Sequence, residues 1–121
     1  MNDYGQGARE FLASPRAVLQ DYGNDCYGIT LAAQSNEQVV GDALKRLFAR
    51  NNGKLLLTLA EAKPADVDKI KTKYPQESAA IDTLVTRINQ LYQEQNPDIL
   101  EIVRLMSEIM ILIGQATKQT K

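Results

Sequence analysis

The sequence predicts an all-α protein, a compact bundle of about five to seven helices that ends in an antiparallel helical hairpin. Two observations support this. Helix caps and helix breakers divide the 121 residues into helix-sized segments. The last third of the chain carries two apolar stripes with helical spacing, and no segment pairs convincingly as strands. The length suits a single domain over residues 1–121, with 1–13 and 115–121 expected to be less ordered.

The first predicted helix begins at Ser14 and Pro15, because serine caps helix N-termini and proline is tolerated at the first helical position. We expect this helix to stop at Gly23. Residues 23–28 then read as a turn, with resumption of the helix inside it as the alternative, and the short apolar run at 29–33 reads as a further helical segment.

The next helix is predicted from a capping box, in which Ser35 is the cap and Gln38 stands three residues later. An Asn-Asn-Gly sequence at residues 51–53 is a typical C-terminal stop. The leucine-rich run at 55–60 is expected to be helical, because leucine and alanine favour helix and no partner strand is present.

Prolines divide the second half of the chain. Pro64 opens a short helix, and Pro75 ends it because the residue before a proline disfavours the α conformation. The hairpin helices are predicted at 76–94 and 97–117, and a short break between amphipathic helices favours antiparallel pairing. Their apolar stripes are Ile81, Leu84, Ile88 and Leu91 in the first helix and Ile99, Ile102, Met106, Ile109 and Ile113 in the second.

The composition excludes most catalytic chemistry. The chain has no histidine, so serine–histidine and cysteine–histidine pairs cannot form. A single cysteine, Cys26, excludes an intramolecular disulfide and Cys/His zinc or iron–sulfur sites within one chain. The glycines match neither a dinucleotide-binding nor a phosphate-binding loop. We therefore expect no enzyme activity, no cofactor and no metal.

The sequence also predicts a cytoplasmic protein. Its N-terminal residues do not resemble a signal peptide. The longest apolar run, residues 109–113, is far shorter than the roughly 18 residues of a membrane span. One unpaired cysteine is typical of a reducing compartment.

The last predicted helix is unusually apolar. Around Ile109, Met110, Ile111 and Leu112 every face of the helix is apolar. Such a segment either lies in the centre of the bundle or is covered by a partner. In the second interpretation these four residues are the candidate binding surface, for self-association or for another protein. A membrane-surface helix is disfavoured because the flanks carry few basic residues.

Basic residues form two clusters that either are solvated helix faces or contact phosphates. The net charge of -1 argues against nucleic-acid binding by the whole surface, but not against one basic stripe. No aromatic residues alternate with the basic ones, so only backbone contact is expected. The candidates are Lys45, Arg46, Arg50, Lys54, Lys69 and Lys73.

These features predict a non-enzymatic small helical assembly or adaptor subunit that acts through protein–protein contacts within a larger complex. The alternative is a nucleic-acid-backbone-binding small subunit of a ribonucleoprotein, for example a CRISPR effector small subunit, that uses a basic helix face. Many complexes contain small helical subunits, so the architecture alone does not decide between the two functions.

Overall fold

The computed structural model describes residues 14–118, which contain six α-helices, one 3₁₀ turn and no strand. The predicted all-α bundle is confirmed. The expectations for residues 1–13 and 119–121 lie outside the described residues. In chain order the elements are α1 (Pro15–Ala33), α2 (Glu37–Arg50), α3 (Leu59–Ala62), the 3₁₀ turn (Pro64–Asp66), α4 (Val67–Lys73), α5 (Pro75–Tyr92) and α6 (Ile99–Lys118).

The last helix, α6, lies at the centre of the packing. It contacts α1 most extensively and α5 next, while α2 packs on α1 and α4 packs on α5. Ile102, Met106 and Ile109 of α6 are completely enclosed. Because these side chains repeat at four and three residues, they line one face of the helix and direct it into the core.

The predicted hairpin is formed by α5 and α6. Ala80, early in α5, lines one groove with Gln115, late in α6, so the two helices run antiparallel. Most of the predicted stripes are buried. In α5, however, Val85 is fully enclosed and Leu84 is only partly buried.

The predicted stop at Gly23 and the turn at 23–28 are wrong, because α1 continues through both. Tyr22, Cys26 and Ile29 of α1 are all buried in the core. Their spacing of four and three residues requires an unbroken helix. Tertiary packing therefore outweighs the cost of the two internal glycines, about 1 kcal/mol each.

Two predicted helix boundaries also shift. The cap of α2 is Asn36 instead of Ser35, and its side chain accepts a hydrogen bond from the Val39 N–H at 2.9 Å. At the other end of the chain, α6 ends at Lys118, one residue beyond the predicted end at 117. Burial of Ala116, which is 0% exposed, holds this last turn against the bundle.

Residues 55–58 are not helical, contrary to the prediction, because side chains of α5 bind their backbone. The Asn89 amide accepts a hydrogen bond from the Leu55 N–H at 2.7 Å and donates one to the Leu56 carbonyl at 2.8 Å. Two turns earlier, the Asp82 carboxylate accepts from the Leu59 N–H at 2.8 Å. We call these three hydrogen bonds the Asn89–Asp82 bracket. It satisfies backbone groups that a helix would otherwise satisfy, and Leu55 and Leu56 remain buried.

Candidate functional site

One strip of α6 faces away from the bundle. Its exposed members are Leu100, Arg104, Ile111, Gly114, Gln115 and Lys118, which we call the outer strip. Leu100 is 82% exposed and Ile111 is 59% exposed. The helix that supplies the centre of the core thus also presents two large apolar side chains to solvent.

The structure separates the four residues predicted to bind a partner. Ile109 is 0% exposed and faces the core, so it does not belong to the surface. Met110 and Leu112 are half-buried and pack at the edge of the core. Only Ile111 projects outward. Different residues of this one helical turn therefore lie in the core and on the surface, and partner binding stays a prediction.

A groove of about 470 Å³ lies between α5 and α6. Ala80 and Leu84 form one wall, and Ile111 and Leu112 form the other. Glu108 is the charged residue in the lining, and its carboxylate is paired with Arg104. The groove is therefore mainly apolar, and its one charge is compensated.

Two exposed apolar residues of α1, Tyr27 and Leu31, lie beside the outer strip. A Cβ atom built on Gly23 would lie 3.6 Å from Ile113 Cδ1, and Thr30 Oγ1 lies 3.9 Å from Met110 Sδ. These contacts show that α1 and α6 run antiparallel. Tyr27 falls between the two contact points on the same side of α1, since it is one turn from each of Gly23 and Thr30. Tyr27 is 53% exposed.

Exposed apolar side chains concentrate on this side of the molecule. Among the described residues six large apolar side chains are exposed, and four of them lie on α1 and α6. Those four define what we call the outer apolar face: Tyr27, Leu31, Leu100 and Ile111. The other two, Val39 and Phe48, lie on α2, where the ring centre of Phe48 lies 5.5 Å from that of Tyr92.

From the sequence, Leu31 is not predicted to be a surface residue, and Tyr27 is placed in a turn rather than on a helix face. The signal was nevertheless present. In a helix extended past Gly23, Tyr27 and Leu31 are four residues apart and lie to one side of the stripe formed by Tyr22, Cys26 and Ile29.

The six basic candidates do not form one free cationic stripe. Three of them are paired with carboxylates: Arg50 with Asp25, Lys54 with Glu61, and Lys69 with Asp66. Lys45 and Arg46 are exposed on α2 and form no ion pair with a described residue, and the Lys73 ammonium lies 5.7 Å from the Tyr74 ring centre.

Two of the basic candidates meet at one cleft. Arg46 and Arg50 both line a cleft of about 420 Å³ between α1 and α2, together with Asn24, Asp25 and Gly28. Two guanidinium groups one helical turn apart suit a phosphate group, but Asp25 offsets part of their charge.

The interior offers no activated nucleophile in the described part of the chain. Cys26 is 0% exposed, and burial followed by the nearby Asp25 charge raises the pKa of its thiol to about 12. Burial, followed by the charges of Asp82 and Glu61, also raises the pKa of Tyr22. Both groups therefore stay protonated and unreactive at neutral pH.

The buried hydroxyl of Tyr22 has no hydrogen-bond partner among the described residues. Replacing Tyr22 with phenylalanine is therefore expected to leave the free energy of unfolding unchanged or to raise it by about 1 kcal/mol. Urea titration of the two proteins measures this difference. Tyr27→Phe, at an exposed position, is the matched control. If Tyr22→Phe lowered the free energy of unfolding by more than about 1 kcal/mol, the hydroxyl would have to make a stabilising hydrogen bond.

Within residues 14–118, no three histidine, cysteine, aspartate or glutamate residues are grouped in a way that could hold a metal ion. None of the described helices has both the length and the hydropathy needed to cross a bilayer. Comparison of the chain with protein-family models, with curated proteins and with solved structures found no match.

Proposed function

We propose that this protein is a non-enzymatic small helical assembly or adaptor subunit that acts through protein–protein contacts within a larger complex. The observation that supports this most strongly is the outer apolar face, together with the groove beside Ile111. Large apolar side chains exposed beside an apolar groove favour an interaction site, because their exposure to water is unfavourable until a partner covers them.

The chemistry of the groove supports one kind of partner. Its walls are aliphatic, its polar rim residues Thr83 and Gln115 are uncharged, and Glu108 is already paired. A charged side chain entering this groove would lose its hydration without gaining a counter-ion. An amphipathic helix that presents leucine, isoleucine or valine side chains fits this surface.

Site-specific photo-cross-linking in the source cells tests the proposal. A benzoylphenylalanine at Gln115, on the rim of the groove, is expected to give one protein adduct of defined mass. Adding Ile111→Glu is expected to abolish that adduct, because it places a charge at the centre of the contact. Thr72, which is exposed on α4, is the control position and should give no adduct. Equal adducts at the two positions, or none at Gln115, would contradict the proposal.

The cleft between α1 and α2 favours the second candidate function, nucleic-acid backbone binding, because Arg46 and Arg50 line it together. If it binds single-stranded RNA, fluorescence anisotropy should show an affinity that falls linearly with salt on a log–log plot. Arg46→Glu is then expected to reduce the magnitude of this salt slope by about one. Arg87→Glu, an equal charge change on α5, is expected to leave the slope unchanged. Absence of binding at low salt would exclude this candidate.

A further inference from the structure

We infer that Asn52 is a site of spontaneous covalent modification, at which the backbone nitrogen of Gly53 displaces the side-chain amide of Asn52 and leaves isoaspartate or aspartate. This chemistry goes beyond the proposed function and is independent of it. Three features of the turn that ends α2 support it: its sequence, its exposure and the hydrogen bonds that hold it closed.

Asn52 is the only asparagine of the chain that is followed by glycine. A peptide nitrogen attacks the preceding asparagine side chain most readily when its own residue has no Cβ atom to hinder the approach. The other asparagines precede larger residues, and Asn96 precedes proline, whose nitrogen carries no hydrogen and cannot react in this way. Asn52 is therefore the asparagine at which we expect the reaction to be fastest.

The turn exposes this pair of residues to solvent. Asn52 and Gly53 directly follow the C-cap of α2, and both are exposed. Their φ values are positive, 56° for Asn52 and 85° for Gly53. Glycine and asparagine are the residues that adopt this left-handed region most readily, so the reactive pair is also well suited to end the helix. Because Asn52 is exposed, water reaches its side chain, and the second step of the reaction consumes water.

The reaction has two steps, and its co-reactant is water. In the first step the Gly53 nitrogen loses its proton to solvent and bonds to Cγ of Asn52, while the bond from Cγ to Nδ2 breaks. The released nitrogen takes up a proton and leaves as ammonia, and a succinimide ring remains. In the second step water adds to one ring carbonyl, and the bond from that carbonyl to the Gly53 nitrogen breaks. Opening at Cγ gives aspartate, and opening at the backbone carbonyl gives isoaspartate.

Two hydrogen bonds hold the turn closed, and one of them occupies the attacking nitrogen. The Gly53 N–H donates to the Phe48 carbonyl at 3.0 Å, and the Lys54 N–H donates to the Asn51 carbonyl at 3.3 Å. A nitrogen that donates such a bond gives up its proton less readily, so the first step is slow while the turn is closed. Because the last turn of an exposed helix opens locally at a low free-energy cost, we expect the reaction rate to follow that opening.

Isoaspartate would change the turn, because it lengthens the backbone by one carbon atom. The turn is held on both sides: the Asn51 N–H donates back into α2, and the Asn89–Asp82 bracket holds Leu55. The extra atom must therefore be accommodated within the turn, where it displaces the Gly53 N–H from its acceptor. The new carboxylate also lies at the C-terminal end of α2, where a negative charge is unfavourable. We expect the modification to open the end of α2 irreversibly.

Peptide mapping by mass spectrometry tests the inference. The full chain is incubated for days at mildly alkaline pH, either folded in buffer or unfolded in guanidinium chloride. We expect Asn52 to be the first asparagine converted from amide to acid, and an isoaspartate methyltransferase to label the same peptide. Conversion should be at least about tenfold slower in the folded protein than in the unfolded chain. Asn24, which is exposed on α1 and precedes aspartate, is the internal control and should remain an amide.

Two variants separate the chemistry from the shape of the turn. Asn52→Gly cannot react and adopts the left-handed conformation, so it should keep the end of α2 closed throughout the incubation. Asn52→Asp introduces the charge without lengthening the backbone. Hydrogen exchange at the Gly53 N–H, measured by NMR, should therefore be faster in the purified isoaspartate form than in Asn52→Asp.

Four outcomes would overturn the inference. The first is an Asn52 that stays intact in the folded protein, and the second is conversion of Asn24 before Asn52. The third is an equal rate at Asn52 in the folded and unfolded chains, because the Gly53 hydrogen bond would then not control the reaction. The fourth is equal hydrogen exchange in the isoaspartate form and in Asn52→Asp, because the longer backbone would then not open the turn.

Discussion

Replacing Met106 with aspartate is expected to lower the free energy of unfolding by about 5 kcal/mol or more, which is comparable to the entire stability of many domains. Met106 is 0% exposed, and its neighbours in the core, Ile102 and Ile109, are equally enclosed. A carboxylate there would be desolvated without a counter-ion, and the apolar packing of the methionine would be lost as well. Far-UV circular dichroism and urea titration measure the effect.

Leu100→Asp on the same helix is the control. It introduces the same group at a position that is 82% exposed, so we expect the free energy of unfolding to change by no more than about 0.5 kcal/mol. The loss of stability caused by Leu84→Asp should fall between those of the other two variants, because Leu84 is partly buried at the edge of the groove. A Met106→Asp protein as stable as Leu100→Asp would show that α6 does not occupy the centre of the core.

Replacing Asn89 with alanine is expected to destabilise the protein by about 3 kcal/mol, the second largest effect that we predict. The change removes the hydrogen bonds to the Leu55 N–H and the Leu56 carbonyl, which are part of the Asn89–Asp82 bracket. These backbone groups have no helical partner, so each bears a desolvation cost when its bond is lost.

Thermal and urea unfolding of Asn89→Ala, compared with Gln90→Ala, isolates this effect. Gln90 is the next residue of α5 and is exposed, so its replacement should change stability by less than about 0.5 kcal/mol. Asn89→Asp retains the acceptor for the Leu55 N–H but loses the donor to the Leu56 carbonyl. We expect this variant to be less stable than the unmodified protein as well. Equal stability of the Asn89 and Gln90 variants would mean that residues 55–58 do not depend on the bracket.

The helical hairpin was predictable from the sequence because its signals are local. Pro75 fixes one boundary, and the stripe from Ile102 to Ile113 fixes the buried face of α6. The path of residues 55–58 was not predictable in this way. It depends on Asn89, more than 30 residues later in the chain, whose side chain replaces the hydrogen bonds that leucines would form in a helix.

The candidate surface was only partly predictable for a related reason. Periodicity identifies the apolar segment 109–112, but it does not say which of its sides the other helices cover. Packing of α1 and α5 on either side of α6 leaves Ile111 exposed and encloses Ile109. Packing also extends α1 past Gly23, which brings Tyr27 to the surface beside α6. Neither result follows from local preferences.

The pairing of α1 with α6 has a consequence for the order in which the molecule is made. The first described helix, α1, packs most extensively on the last one, α6. Thr30 contacts Met110, which lies about 80 residues later in the chain. During synthesis on a ribosome, the core face of α1 therefore cannot pack against α6 until nearly the whole chain has emerged. Contacts so distant in sequence raise the contact order above that of a bundle built from neighbouring helices, and slow its folding. A chain that terminates before α6 would leave α1 without its main packing partner, as a substrate for chaperones and proteases.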